Sequence, residues 1–427
     1  MAKSNVSSGY MRFHGIRFTV PRDPSMHIAF IIKKSNQSHI LDIEDTCDAL
    51  KTIIQDNMTL SMVGVKSLKL KKIFTSLFGK VAYPSHYNNL KLHDSSRGGE
   101  TPLAIQQVEA ANVARFIANE PTNRMYPAKV ISYTKELFKK QDIKIKVFEK
   151  NDLEAKGFGL ILAVGKGSSR PPALMILERM VAGSSKTICM IGKGVCFDSG
   201  GYNLKPSTSM LGMKFDKTGA AIAIAAFKHF IESDKKTSIV ALVPLVENLI
   251  GGNAIKPGDI VTAWNKKTVE IANTDAEGRL IMADALAYAC ATYKPTLLMD
   301  FATLTGWASK QHCGASFVYY TNSGRCATKV EKAGALVGER SIRLPPWPEF
   351  ARYTESEVAD YSNDTQGCIG AGSMAAMFLM NFVPMHYRNK WIHFDITEKG
   401  DTKSTTQVAG IATILELLVE IPIHRRK

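Results

Sequence analysis

The 427-residue sequence contains no run of about eighteen consecutive apolar residues, so no membrane-spanning helix is expected. Its first residues, Met1-Ala2-Lys3-Ser4, lack the apolar core of a secretory signal, and a cytoplasmic protein is expected. No C-x-x-C pair occurs. The seven cysteines (Cys47, Cys189, Cys196, Cys290, Cys313, Cys326 and Cys368) are odd in number and dispersed, and they read as reduced thiols rather than a disulfide framework. The ten histidines are scattered and include no H-E-x-x-H, which argues against a single-zinc protease of that type. Internal repeats and low-complexity segments are also absent.

What is present is an ordinary globular composition, 45% hydrophobic and 22% charged, in a chain long enough for two domains. The net charge of +15 is less ordinary. Lysines cluster at Lys66, Lys69, Lys71 and Lys72, and the chain ends His424-Arg425-Arg426-Lys427. Such a surface attracts nucleic acid or acidic lipid non-specifically. No nucleic-acid reader motif accompanies it, so a nucleic-acid role is possible but not favoured.

The chemistry concentrates in two stretches. Asn273-Thr274-Asp275-Ala276-Glu277-Gly278-Arg279 carries two carboxylates one residue apart, with a fork-shaped cation behind them. Side chains at i and i+2 diverge on a helix, so Asp275 and Glu277 converge only across an extended or turned backbone, which Gly278 is expected to permit. A solvated D-x-E-G turn is the plain alternative. Upstream, Lys193-Gly194-Val195-Cys196-Phe197-Asp198-Ser199-Gly200-Gly201 follows a strand-like run at 187–191, and Lys205 lies just past the glycines. Ligands of open α/β sheets sit at such strand ends. Asp216 opens a helix built on small residues. Four carboxylates and no histidine cluster suit hard divalent cations, with a salt-bridge cluster involving the lysines as the alternative. Lys193 can ligate only as a neutral amine. Lys205 can remain charged and stabilise an oxyanion.

Together these stretches resemble the leucine aminopeptidase family of two-metal exopeptidases, over roughly residues 103–418. Further matches are Asn119-Glu120-Pro121-Thr122-Asn123, Pro244-Leu245-Val246-Glu247-Asn248, Lys256-Pro257-Gly258-Asp259 and Ala302-Thr303-Leu304-Thr305-Gly306. The resemblance implies a metal-dependent aminopeptidase that removes N-terminal, preferably apolar residues from peptides by two-metal-activated water attack. By motif, Lys193, Asp198, Asp216 and Glu277 match the ligands of a tighter metal site, and Asp198, Asp275 and Glu277 those of a more exchangeable one. Lys205 matches the catalytic lysine. Arg279 matches the arginine that holds bicarbonate as general base. Met213, Thr303 and Gly306 would shape the pocket for the first side chain, with the stretch from Gly370 to Ala376 as its far wall. The implied metals are Zn or Mn, with Mg or Co as alternatives, and the implied assembly is a homohexamer. A catalytically silent scaffold relative is the rival reading.

Departures from the family pattern are Lys217 and Thr218 after Asp216, Trp307 after Gly306, Cys313, and Thr397-Glu398-Lys399-Gly400 after Ile396. Lys217 is expected to place a positive charge beside a metal ligand, and Trp307 to narrow the pocket.

The expected fold class is α/β: a small N-terminal α/β domain, then a larger catalytic domain with a mainly parallel, twisted sheet flanked by helices. The expected division is 1–92, a linker and connecting helix at 93–119, and the catalytic domain at 120–427. Strands are expected at 18–20, 27–32, 143–148, 160–164, 188–191, 239–243 and 296–301. Helices are expected at 43–58, 103–118, 132–140, 220–233 and 279–293.

Overall fold

The computed structural model describes residues 101–306, 308, 315–344, 346–364, 370–397, 406 and 408–421, with five earlier strands. The expected 43–58 helix, the Lys66–Lys72 cluster, the C-terminal basic tail, Trp307, Cys313 and residues 398–400 lie outside the described residues. Those five strands, Tyr10–Phe13, Ile16–Thr19, His27–Ile32, Thr59–Val63 and Lys91–Asp94, form a sheet in chain order. Its first three strands run antiparallel, and its last two pairings are parallel.

The larger sheet is mixed and mostly parallel. Its order is Ser341–Leu344, Phe317–Tyr320, Trp391–Asp395, Leu297–Ala302, Thr187–Gly192, Ser238–Asn248, Ala173–Arg179 and Lys144–Phe148. The central strands pair in parallel, whereas Ala173–Arg179 and Lys144–Phe148 add an antiparallel edge. Alternation along each strand divides the core in two, since successive side chains point to opposite faces. Met175, Leu177, Ile188, Met190, Met299 and Phe301 pack on one side, with helices Thr101–Asn119, Thr218–Ser233 and Ile411–Glu420. Leu174, Ile176, Cys189, Ile191, Val240 and Leu298 pack on the other, with Gly159–Gly165, Glu277–Tyr293 and Ala371–Met380.

Two expectations are corrected. Residues 160–164 are helical, within Gly159–Gly165. The Asp284 carboxylate accepts the Leu160 and Ile161 amides at 2.9 and 3.1 Å and so satisfies the first donors of that helix. A short apolar run carries no period that separates strand from buried helix. The helix expected at 132–140 occupies Pro127–Leu137, since Pro127 tolerates a first-turn position whose amide would have no partner. The Ala173–Arg179 strand was not anticipated.

His229 is fully buried in the Thr218–Ser233 helix. Burial first, then the Lys228 charge, pushes its pKa down to about 4. A free histidine titrates near 6.5. The unfolded chain therefore binds the proton more readily than the folded one, and stability falls as pH drops through the interval between those values. Between pH 7 and pH 5 the wild type should lose roughly 2 kcal/mol more than His229→Leu. Urea unfolding at both pH values checks this, and parallel pH profiles for the two proteins would refute it.

Candidate metal centre

Lys193 stands where one strand breaks into two. Thr187–Gly192 pairs with Leu297–Ala302 and Ser238–Asn248, whereas Gly194–Asp198 continues along Ser238–Asn248 alone. At the break, the Lys193 amide donates to the Phe301 carbonyl at 3.0 Å, and the Lys193 carbonyl accepts the Ala220 amide at 2.8 Å. This opens a crevice at the carboxyl ends of central strands, the usual ligand position in such sheets. Asp198 ends the second strand. Gly200 and Gly201, at φ 86° and 63°, turn the chain back so that Lys205 faces Asp198. Asp216 lies on the 3-10 turn Leu211–Lys217 that feeds the Thr218–Ser233 helix, and Met213 is on the same turn. Asp275 precedes the Glu277–Tyr293 helix and Glu277 opens it, which is how two carboxylates at i and i+2 converge.

The side chains of these stretches come together at the crevice. Carboxylate oxygens of Asp198, Asp275 and Glu277, one from each, lie within 4.8 Å of one another. The Lys193 ammonium donates to Asp216 Oδ1 at 2.7 Å and to the Thr303 carbonyl at 2.9 Å, and it pairs with Glu277 Oε1 at 2.9 Å. Lys205 pairs with Asp198 Oδ2 at 2.8 Å and Asp275 Oδ1 at 2.5 Å. Thr303 also donates its hydroxyl to Asp216 Oδ1, at 2.7 Å, so it belongs to the acidic cluster itself. Gly306 follows on the same loop, which Asp395 anchors by accepting the Leu304 amide and the Thr305 hydroxyl.

Burial and like charge strain this cluster. Burial first, then Glu277, pushes Asp198 up to about 7 against the pull of Lys205 and Lys193. Asp216 is raised well above the carboxylate range by burial, although Lys193 opposes the shift. Burial would raise Glu277 too, but Lys193 and Lys205 outweigh it and hold that carboxyl low. Both lysines are raised: burial works against their charge, and the surrounding carboxylates prevail. Arg279 is buried, and desolvation lowers its pKa to about 10, so it keeps its charge at neutral pH. Its Nη1 donates to the Asn363 carbonyl at 2.7 Å.

One sequence reading changes here and a second is sharpened. Gly278 sits inside the helix, and its role is to make room. A Cβ there would lie 2.4 Å from Lys193 Cε and 2.6 Å from Nζ. Gly278→Ala should gain about 1 kcal/mol of helix propensity yet weaken divalent-cation binding roughly tenfold, because Lys193 must leave its partners. Titration calorimetry reads this directly, and unchanged affinity would show that the lysine has another place to go. Lys217, in turn, anchors its ammonium on backbone carbonyls, while its charge still acts on the neighbouring Asp216. It is fully buried, and its ammonium donates to the Glu120 and Lys214 carbonyls at 2.9 and 2.6 Å. Burial first, then Lys214, lowers its pKa to about 8.

Sequence reasoning missed the amides that hold these pieces together. Asn248 Nδ2 donates to Asp198 Oδ1 at 2.8 Å and to the Thr274 carbonyl at 3.0 Å. Asn203 Oδ1 accepts the Thr274 amide at 2.9 Å. Asn248 closes the Pro244–Asn248 motif and could have been found there; the reach of Asn203 across 71 residues left no local signal.

A mostly parallel α/β sheet with carboxylates and lysines gathered at its strand ends defines a carboxylate-rich centre of the kind that suits hard divalent cations. The profile of the cytosol aminopeptidase family, catalytic domain, matches residues 112–418, and the chain belongs to that family. It is 39% identical over 318 residues to a probable cytosol aminopeptidase of Chlorobium limicola, covering 73% of this chain and 61% of that protein. It is likewise 39% identical over 323 residues to a cytosol aminopeptidase of Encephalitozoon cuniculi, covering 75% and 66%. The chain thus spans about three fifths to two thirds of the length of these relatives. Among solved structures it resembles a leucine aminopeptidase of Caenorhabditis elegans, with TM-score 0.82, 25% identity, and coverage of 91% of this chain and 83% of that one. A cytosol aminopeptidase of Coxiella burnetii gives TM-score 0.79 and 30% identity, with coverage of 89% and 85%.

Proposed function

We propose that the protein is a metal-dependent aminopeptidase that releases N-terminal, preferably apolar residues from peptides, using two divalent ions, Zn or Mn by preference. The observation that carries this reading is the convergence of Asp198, Asp275 and Glu277 within 4.8 Å, beside the Lys193–Asp216 pair and Lys205. The donor set fits such ions. Four carboxylates face two ammonium groups, and Asp216 Oδ2 is buried with no hydrogen-bond partner among the described residues. Asp198, Asp216, Glu277 and the neutral amine of Lys193 would hold one ion, and Asp198, Asp275 and Glu277 the other. Bound divalent ions supply Lewis-acid polarisation of the scissile carbonyl and lower the pKa of the attacking water.

The chain's own groups do the rest. Lys205 remains an ammonium and donates to the carbonyl oxygen as negative charge develops there. Arg279, whose Nε has no partner among the described residues, offers a buried cation that would hold bicarbonate, and that ion would supply a general base beside the attacking water. Met213, Thr303 and Gly306 border the place for the first side chain. The same reading includes a homohexamer, a cytoplasmic setting, and the division 1–92, 93–119 and 120–427. Sedimentation checks the assembly; proteolytic cuts confined to the 93–100 stretch would support the division. Among the described residues, no helix is long and apolar enough to cross a membrane.

The test is hydrolysis of leucyl-4-nitroanilide and a panel of aminoacyl substrates after metal stripping, with Mn, Zn, Co or Mg restored. Metal-restored turnover that favours leucyl over aspartyl substrates by about tenfold or more is expected. A folded protein silent under every metal would leave the cluster as a salt-bridge assembly in a scaffold relative.

A further inference from the structure

Asn363 comes from outside both acidic stretches and commits its polar groups to one of them. It follows the short strand Tyr361–Ser362, which pairs in parallel with Thr268–Glu270, and its amide donates to the Glu270 carbonyl at 3.1 Å. The side-chain oxygen accepts the Ala272 and Asn273 amides at 2.9 and 3.1 Å. The side-chain nitrogen donates to the Asn273 carbonyl at 2.7 Å and to the Ala276 carbonyl at 3.4 Å. Its own carbonyl accepts Arg279 Nη1 at 2.7 Å. Asn363 is fully buried, so water cannot substitute for these bonds.

We infer that Asn363 is the positioning residue that sets the turn between Asp275 and Glu277 and aims Arg279 at the centre, and this rests on the function proposed above. The chemistry requires an amide. Residues 272–276 offer two donors on one side and two acceptors on the other, and only a group that both accepts and donates in one plane meets both. Aspartate would accept the two amides but turn an oxygen against two carbonyls. Alanine would leave all four backbone groups without a side-chain partner. Asn273, whose amide and carbonyl Asn363 holds, in turn accepts the Asp275 amide through Oδ1 at 2.8 Å. The clamp therefore reaches the carboxylate through a single residue. Asn363 touches no carboxylate among the described residues: its side chain acts through the backbone of the turn, and its main-chain carbonyl acts through Arg279.

The experiment compares wild type, Asn363→Ala and Asn363→Asp by three readouts: amide hydrogen exchange at Ala272 and Asn273, Mn titration of the metal-stripped protein, and kcat and KM with the metal restored. Asn363→Ala should lose exchange protection at both amides, whereas Asn363→Asp should keep it. Both should weaken Mn binding about tenfold or more and lower kcat by a similar factor, with KM within about threefold. Thermal melts separate this from a general loss of fold. Wild-type Mn affinity and kcat in a folded Asn363→Ala protein would overturn the inference, as would a kcat loss explained by the unfolded fraction. If wild type shows no turnover but binds Mn, the proposed function falls, and the exchange and Mn readouts still decide the role of Asn363. If wild type binds no Mn, both fall.

Discussion

Lys205→Ala and Glu277→Ala are each expected to lower metal-restored kcat/KM by a factor of about 10³ or more. The two should fail for different reasons, and that difference is the useful result. Glu277 is buried at the start of its helix, pairs with Lys193 and shares the cluster with Asp198 and Asp275, so its removal takes away a ligand common to both proposed ions. Mn titration of Glu277→Ala should show the loss of high-affinity binding. Lys205 pairs with two of the carboxylates but is not among the proposed ligands. Lys205→Ala should therefore bind Mn at least as well as wild type, because a competing cation has gone, while turnover collapses. Near-normal turnover in Lys205→Ala would remove the lysine from the chemistry and leave it as a counter-ion.

Lys193→Met should destabilise the metal-free protein by roughly 3–5 kcal/mol at pH 8, since removing one partner of a buried pair leaves the other charge uncompensated. The side chains of Lys193, Asp216 and Glu277 are all nearly fully buried. The pH dependence has a definite sign. Burial lifts the Glu277 carboxyl, and Lys193 and Lys205 more than reverse this, so its folded pKa lies below its ordinary value. In wild type that contribution is present above the unfolded pKa and is lost as pH falls through the folded one. In Lys193→Met the contribution shrinks, and protonation of Asp216, already raised by burial, relieves the uncompensated charge. The gap between the two proteins should therefore be widest at pH 8 and narrow towards pH 5. Urea unfolding of metal-stripped protein at both values measures it, and equal stability at pH 8 would show that Lys193 is not the counter-ion the geometry indicates.

The sequence by itself determined which short stretches carry the residues of the proposed centre. Lys193, Asp198, Lys205, Asp216, Asp275, Glu277 and Arg279 lie in short stretches whose spacing relative to a strand end or a helix start is local, and local spacing survives folding. The βα alternation was legible for the same reason, since the periods of 2 and 3.6 are written within single elements. The tertiary structure alone decided what depended on distant partners. Residues 159–165 became helix because Asp284, over 120 residues away, takes the amides of its first turn. Gly278 proved to be space for Lys193, because the two meet only when the strand break faces the helix start. Lys217 turned out to hold the Glu120 carbonyl across 97 residues. Asn363 closed the acidic turn from 90 residues downstream. In each case the deciding contact is a packing or hydrogen-bond partner brought in by chain reversal, and neither composition nor periodicity encodes which remote residue that partner will be.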